Sequence, residues 1–296
     1  LSLGEKYDIP APKGSWYNWQ LKWARKLIFS KWHDALGGNL DYLVSGSAPL
    51  SPRLAKIFAA ADLPVLEGYG LTETSPVISV NDRRNDGWRI GSVGKVLSNV
   101  KIKIAEDGEI LAQGPSISQG YYKEDDKTNE AFIDGWFHTG DIGKINDEGF
   151  LFITDRKKEM FKTSGGKYVA PQMIENTMKQ SRFIDQIMVV GEGQKMPAAL
   201  IQPNFDFIKE WANRKGISVG FNLKEVCNNE EVIERIQEEV NNLNEKFGKW
   251  EQIKKFELTP NIWSIDSGEL TPTLKLKRKV ILEKYKHLYN KIYDIK

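Results

Sequence analysis

Between residues 40 and 67 the chain reads LDYLV, then SPRLAKIFAAA, then LPVLE. Two short apolar runs flank a helical stretch that opens with Ser51 at its cap position and Pro52 at its first position. Serine caps by accepting from an early helical amide, and proline fits the first position because its missing N–H would have no helical partner there. A strand, a helix and a strand in this order form the unit of a parallel sheet covered by helices. The unit predicts an α/β architecture for this part of the chain.

The texture then changes twice. Residues 91–154 hold short alternating strands, VKIKIAEDGEILAQG and IGKINDEGFLFIT, whose EDGE and DEGF turns predict hairpins and a small antiparallel β-barrel or sheet. After the charged run DRKKE at 155–159, strands and helices interleave. PQMIENTMK is a helix opened by Pro171, IDQIMVVGE and PAALIQP are strands, FDFIKEWANRK is a helix and IKKFEL a strand. In the helix around EEVIERIQEEVNNLNEKF, the spacing of Ile233, Ile236, Val240, Leu243 and Phe247 predicts one apolar face. With 296 residues, 40% of them hydrophobic, the chain is long enough for two or more domains. The expected division is 1–154 (α/β over 1–90, barrel-like over 91–154), a linker at 155–159, and a small mobile α+β domain over 160–296.

Gross composition removes several function classes. Forty-two basic against 40 acidic residues leave a formal charge of +2, which gives no general reason to expect nucleic acid. Cys227 is the one cysteine, so no intrachain disulfide can form and a reducing compartment, the cytoplasm, is the expected location. His33, His138 and His287 lack ligand-like spacing, which argues against structural zinc. No apolar run is long enough to span a bilayer.

Four stretches are polar without a structural reason in their surroundings. GYGLTETS, at 68–75, sets Glu73 among hydroxyls directly after a strand. GWFHTGDIG holds Asp141 between glycines. DRKKEMFKTSGGKY joins an acid, a guanidinium, lysines and the pair Gly165–Gly166. LTPTLKLKRK packs Lys275, Lys277, Arg278 and Lys279 into five positions. Any one of them alone is better read as a turn, a solvated linker or a surface charge run.

Together, in this order, they resemble the adenylate-forming superfamily of acyl-CoA synthetases and ligases, in its long-chain fatty acyl-CoA synthetase branch. SGSAPLSPRLAKIF and GEILAQGPSISQGYYKEDDKTNEAF add to the match, which runs from about residue 40 nearly to the end. The resemblance implies an acid–thiol ligase that joins a long-chain fatty acid to the α-phosphate of ATP, releases pyrophosphate and passes the acyl group from AMP to coenzyme A. Negative charge moves onto pyrophosphate in the first step, so positioned cations and donors carry the catalysis. By resemblance, Thr72 donates to the α-phosphate, and Glu73 anchors Mg2+, a hard ion that favours oxygen ligands. Gly46, Ser47 and Ala48 with Gly68, Tyr69 and Gly70 form the adenine slot. Asp141 accepts from both ribose hydroxyls, and Arg156 meets the ribose from the far side. Lys158 is the hinge about which the small domain turns, and Gly165 and Gly166 line the pantetheine channel.

Two departures from the family pattern matter. The catalytic lysine there follows a glycine in P-x-T-x-x-G-K; here alignment puts Leu276 at that glycine and Lys277 as the lysine, with Lys275 as rival. The family's T-S-G-T-T-G-x-P-K-G phosphate loop is absent from these 296 residues, and the chain reads as a piece of a longer enzyme, inactive in adenylation alone. Trp16, Trp19, Trp23 and Leu27 recur at helical spacing among basic residues. That stripe fits either packing against a further domain, the preferred reading, or peripheral contact with the inner face of a membrane. Two other functions stay open: a superfamily member acting on another carboxylic acid or on a carrier-protein thiol, and a nucleotide- or membrane-binding module without turnover. Oligomeric state is not legible.

Overall fold

A computed structural model describes residues 2–8, 14–84 and 86–295. Part of the opening segment (Leu1 and residues 9–13), Asn85 and the last tail residue, Lys296, lie outside it. The chain divides into two compact units, residues 1–157 and 158–296.

The first unit begins with a short helix, α1 (Ser2–Glu5). Next come α2 (Ser15–Ala24), a π-helical turn over Arg25–Phe29, and α3 (Ser30–Ala35). Leu21 and Phe29 point into a core with Ala60, Ala61 and Leu63, while Trp16, Trp19, Trp23 and Leu27 remain exposed. The predicted crossover is present. β1 (Leu43–Ser45) runs parallel to β2 (Val65–Gly70), with Leu43 opposite Val65, and α4 (Pro52–Ala60) connects them. Ser51 stands at the cap of α4 without a side-chain cap bond, so Pro52 at the helix start is the stronger local signal. β3 (Val77–Val80) and β4 (Lys95–Val96) extend the sheet antiparallel from β2.

A second sheet follows from β5 (Lys101–Ile104), β6 (Glu109–Gln113), β7 (Phe132–Ile133), β8 (Trp136–Ile145) and β9 (Leu151–Arg156), with α5 (Asp125–Ala131) before β7. Both predicted hairpins form, β5–β6 and β8–β9. The strands run in the order β5-β6-β8-β7 with β9 on β8, an open antiparallel sheet; the described strands do not close a barrel.

The second unit holds a small hairpin of β10 (Phe161–Lys162) and β11 (Tyr168–Val169), then α6 (Pro171–Met178). A three-stranded sheet pairs β12 (Ile184–Val190) antiparallel and β14 (Lys255–Leu258) parallel to β13 (Ala198–Pro203). Between β13 and β14 lie α7 (Phe205–Lys215), α8 (Leu223–Asn228) and α9 (Glu230–Asn244). α10 (Arg278–Lys284) and α11 (Lys286–Tyr293) end the chain. Every residue of β13 is buried because both faces of the sheet are covered. Ile187, Ala199 and Ile201 face the α6, α7 and α9 side; Met188, Ala198 and Leu200 face Trp263, Leu270, Ile281 and Ile292. The apolar face expected around α9 holds at Ile236, Val240, Leu243 and Phe247, which lie in or against the core, and departs from expectation at one position. Val232, Ile236 and Val240 are buried, and Ile233 is exposed. Val232 lies four residues before Ile236, so the stripe runs in steps of four, and Ile233 falls beside it.

Candidate functional site

In the first unit, β1 ends beside the middle of β2, Ser45 standing opposite Glu67. The chain leaves β1 through Gly46, Ser47 and Ala48, all exposed, and Ser47 adopts a left-handed backbone (φ 68°). A Cβ built on Gly46 would lie 3.6 Å from the Gly68 carbonyl oxygen, so the loop after β1 runs beside the glycine-rich end of β2. This is where ligands settle in open α/β sheets. Glu67, buried beneath, braces the pair: its carboxylate accepts from the Leu50 amide at 3.0 Å. Burial pushes that carboxyl up to about 7, against the opposing pull of the Leu50 bond.

The polar run after β2 divides its labour. Thr72–Thr74 forms a single 3-10 turn. Thr74 is buried and used internally: its hydroxyl accepts from the Leu71 amide at 2.9 Å and donates to the Pro76 carbonyl at 2.7 Å. Gly70 is required by the same turn, because a Cβ there would meet the Pro76 carbonyl oxygen at 1.7 Å. A Cβ on Gly68 would make only ordinary contacts, at 3.4 Å or more. Thr72 is exposed, and Glu73 is half-buried with one carboxylate oxygen accepting from the Tyr121 hydroxyl at 2.8 Å. Burial and the neighbouring carboxylate raise the Tyr121 phenol, which keeps it a donor.

Tyr69 leads from this turn to the second sheet. Its hydroxyl donates to Asp141 Oδ2 at 2.7 Å, and Arg156 Nε donates to Asp141 Oδ1 at 2.7 Å. Asp141 and Arg156 are directly opposite in the β8–β9 ladder, so hairpin register alone joins two motifs fifteen residues apart. The Asp141 amide donates to Thr139 Oγ1 at 3.1 Å, fixing the carboxylate at its base. Burial and the Asp141 charge push the Tyr69 phenol well up, so it stays protonated beside the carboxylate. Below this cluster Glu109, 3% exposed, accepts from Lys157 Nζ at 2.7 Å, from the Gly140 amide at 2.9 Å and pairs with His138 Nδ1 at 3.1 Å. Burial would raise its pKa, but Lys157 and His138 outweigh it and hold the carboxyl below the usual range. Glu67, Glu109, Thr139 and Tyr121 were not singled out by sequence reasoning. The available signal was a glutamate at the buried end of an apolar strand in both LPVLE and GEILAQG.

The second unit carries the remaining candidates. Lys158 is exposed at its first position. Gly165 and Gly166 form the tip of the β10–β11 hairpin; the nearest atom to a Cβ on Gly165 would be Thr163 Oγ1 at 3.9 Å, and nothing lies near one on Gly166. Gly166 has φ 75°, whereas Gly165 is outside the left-handed region and is not needed by its own turn. Lys275 and Lys277 are both exposed and flank Leu276, which packs inward opposite Leu270. The backbone distinguishes them. Leu274, not Leu276, is left-handed (φ 59°), and its amide closes the turn on the Thr271 carbonyl at 2.8 Å.

Among the described residues no three carboxylate, histidine or cysteine side chains gather as a metal site. Mg2+ does not require one, since it is commonly held by one or two carboxylates plus substrate phosphates. Glu73, half-buried and with Oε1 bonded to Tyr121, is a carboxylate of the kind that mode uses.

By fold the chain stands among the adenylate-forming enzymes. It superposes on the adenylation domain of a carboxylate reductase from Mycobacterium chelonae with a TM-score of 0.69 at 22% identity, covering 99% of this chain and 44% of that one. Apo MatB from Rhodopseudomonas palustris gives 0.58 at 26% identity over 84% of this chain and 46% of its own. The chain belongs to the AMP-binding enzyme family: residues 15–122 match the AMP-binding enzyme domain and residues 158–296 the AMP-binding enzyme C-terminal domain. It is 39% identical over 269 residues to the long-chain-fatty-acid–CoA ligase FadD15 of Mycobacterium tuberculosis, covering 91% of this chain and 44% of that protein. It is 36% identical over 285 residues to long-chain-fatty-acid–CoA ligase 1 of Homo sapiens, covering 91% and 40%. The chain spans less than half the length of these relatives.

Proposed function

We propose that this chain carries the nucleotide-holding and lysine-bearing parts of a ligase that activates a long-chain fatty acid as acyl-AMP and transfers it to coenzyme A. The observation that carries the reading is the Tyr69–Asp141–Arg156 cluster beside the Gly46–Ala48 loop and the Gly68–Gly70 end of β2. A buried carboxylate held by a phenol and a guanidinium can exchange either donor for a vicinal diol, which supplies two hydroxyls in a row. The glycines of that loop and of the strand end leave room for a flat base to approach the backbone. Thr72 offers a hydroxyl toward the phosphate, and Glu73 would hold Mg2+, which when bound neutralises phosphate charge. The acid class rests on the names of the ligases that this chain resembles. Cytoplasmic location with peripheral membrane contact belongs to the same proposal, supported by the free, buried Cys227 and the exposed tryptophans of α2.

Lys275 takes precedence over Lys277 as the adenylation lysine. A glycine is the residue that most readily takes a left-handed backbone, and before these lysines it is Leu274 that adopts one, directly ahead of Lys275. Counting from the left-handed residue rather than from sequence spacing moves the assignment by two.

Equilibrium dialysis of AMP and a non-hydrolysable acyl-AMP analogue against the 296-residue chain tests the reading. Both ligands bind, and Asp141→Asn weakens both at least about tenfold, because a neutral amide loses the charge-assisted bonds. No binding by the folded chain overturns the proposal.

A further inference from the structure

Arg278 follows the two exposed lysines, yet its side chain turns inward. Its Nε donates to Glu159 Oε2 at 2.9 Å, its Nη2 to Glu175 Oε2 at 2.7 Å, and its Nη1 to the Val189 carbonyl at 3.4 Å. Glu159 Oε2 also accepts from Gln172 Nε2 at 2.9 Å. Glu175 is buried, and its other oxygen accepts from the Val189 amide at 2.7 Å. One planar guanidinium therefore joins the residue after Lys158, helix α6, strand β12 and the end of the lysine segment. Neutralising buried Glu175 needs a single cation contact. The second carboxylate comes from the first residue past the candidate hinge, 119 positions away in the chain.

We propose that Arg278 is a positioning residue: by clamping Glu159 and Glu175 it fixes the register between the 275–277 lysine segment and the chain immediately beyond Lys158. The inference rests on the adenylation reading above. Lysine is a point charge on a flexible four-carbon stem, so its backbone must be held from elsewhere if the ammonium is to arrive at a set place. The loop supplies part of that hold, with the Thr271 amide on the Lys275 carbonyl at 2.8 Å and the Lys277 amide on the Glu269 carbonyl at 2.7 Å. Those bonds keep the loop's shape but do not tie it to residue 159. The Arg278–Glu159 bond does so. A misplacement of about 1 Å can lower a rate about a hundredfold, so loosening this tie acts on the lysine-dependent step and spares a step that does not use the lysine.

Two variants test it. Glu159→Gln weakens the hinge-side bond and keeps the buried Arg278–Glu175 pair, so the fold is safe. Arg278→Gln removes both contacts. Hydrogen exchange on the 296-residue chain reads the tie directly: amides of residues 271–279 exchange at least about threefold faster in Glu159→Gln, with β12 and β13 unchanged, and tenfold faster in Arg278→Gln, where Val189 of β12 loses its contact as well. In an enzyme of the relatives' full length containing this sequence, Glu159→Gln lowers kcat for acyl-adenylate formation about fivefold. The KM for ATP stays within twofold, and thioester formation from supplied acyl-AMP stays at the parent rate. Arg278→Lys does not rescue Arg278→Gln, because one ammonium cannot present a fork to two carboxylates. Equal loss in both half-reactions, or unchanged exchange in Glu159→Gln, overturns the proposal. Lys275→Ala and Lys277→Ala, run alongside, separate it from the reading beneath. If neither impairs adenylation that reading fails, and the exchange rates alone then judge the clamp.

Discussion

Glu67 lies midway along β2, opposite the last residue of β1, and its environment makes a stability prediction. A carboxyl raised from its ordinary range to about 7 is destabilised in its charged form by the fold. Its contribution is therefore fully present below the unfolded pKa near 4.5, and is lost as pH rises through 7. Glu67→Gln keeps an acceptor for the Leu50 amide and cannot ionise. The variant should match the parent near pH 4.5 and exceed it by about 3 kcal/mol at pH 8.5, since each tenfold change in proton affinity is worth about 1.4 kcal/mol. Urea unfolding at both pH values checks this; a difference independent of pH removes Glu67 as the cause. Tyr69 offers a second test. Tyr69→Phe deletes the donor at 2.7 Å from Asp141 and little else, so AMP affinity should fall about three- to tenfold while the melting temperature moves little.

Among elements, the loop before α10 stores strain that a single substitution can release. Leu274 is exposed and left-handed, a conformation that costs an L residue about 1–2 kcal/mol. Leu274→Gly should leave stability unchanged or raise it by about 0.5–1 kcal/mol, against the usual loss for a glycine substitution. A drop of more than about 1 kcal/mol in thermal or urea unfolding would show that the leucine side chain contributes packing. On α9 the corrected stripe gives an opposite pair. Val232→Ala removes buried methyls and should cost about 1–2 kcal/mol, whereas Ile233→Ala, on the exposed side, should cost under about 0.5 kcal/mol. The reverse order would restore the face expected from spacing alone.

For the whole molecule, the division at 157/158 predicts two unfolding units. Each has its own core, and such units commonly lose structure in separate steps. Calorimetry should resolve two transitions, and brief trypsin treatment should cut within residues 156–158, where Arg156, Lys157 and Lys158 are exposed. A single two-state transition would speak against independent units. Catalysis is tested in the same chain: with ATP, Mg2+ and palmitate the 296 residues should release no measurable pyrophosphate, since they hold no stretch of the family phosphate-loop form. Robust release would show that these residues suffice for adenylation.

Local pieces of the fold were legible in the amino-acid order alone. Pro52, Pro171 and the glycine turns at 106–109 and 147–150 mark where elements start and reverse, because backbone geometry and missing donors act within a few residues. The motifs through which the family is recognised were legible in the same way. Everything that depends on neighbours distant in the chain had to wait for the folded molecule. Nothing in GYGLTETS says that Thr74 is consumed by its own turn while Tyr69 reaches Asp141, 72 positions on. Glu109 looks like a strand residue until Lys157 and His138 converge on it. In LTPTLKLKRK four cations look equivalent, and it takes the left-handed turn at Leu274 and the inward packing of Leu276 to leave the three lysines outward and make Arg278 a half-buried clamp. Spacing along a chain records which way a side chain starts out; whether it meets solvent, a carboxylate or a core is set by what the rest of the fold brings to that point.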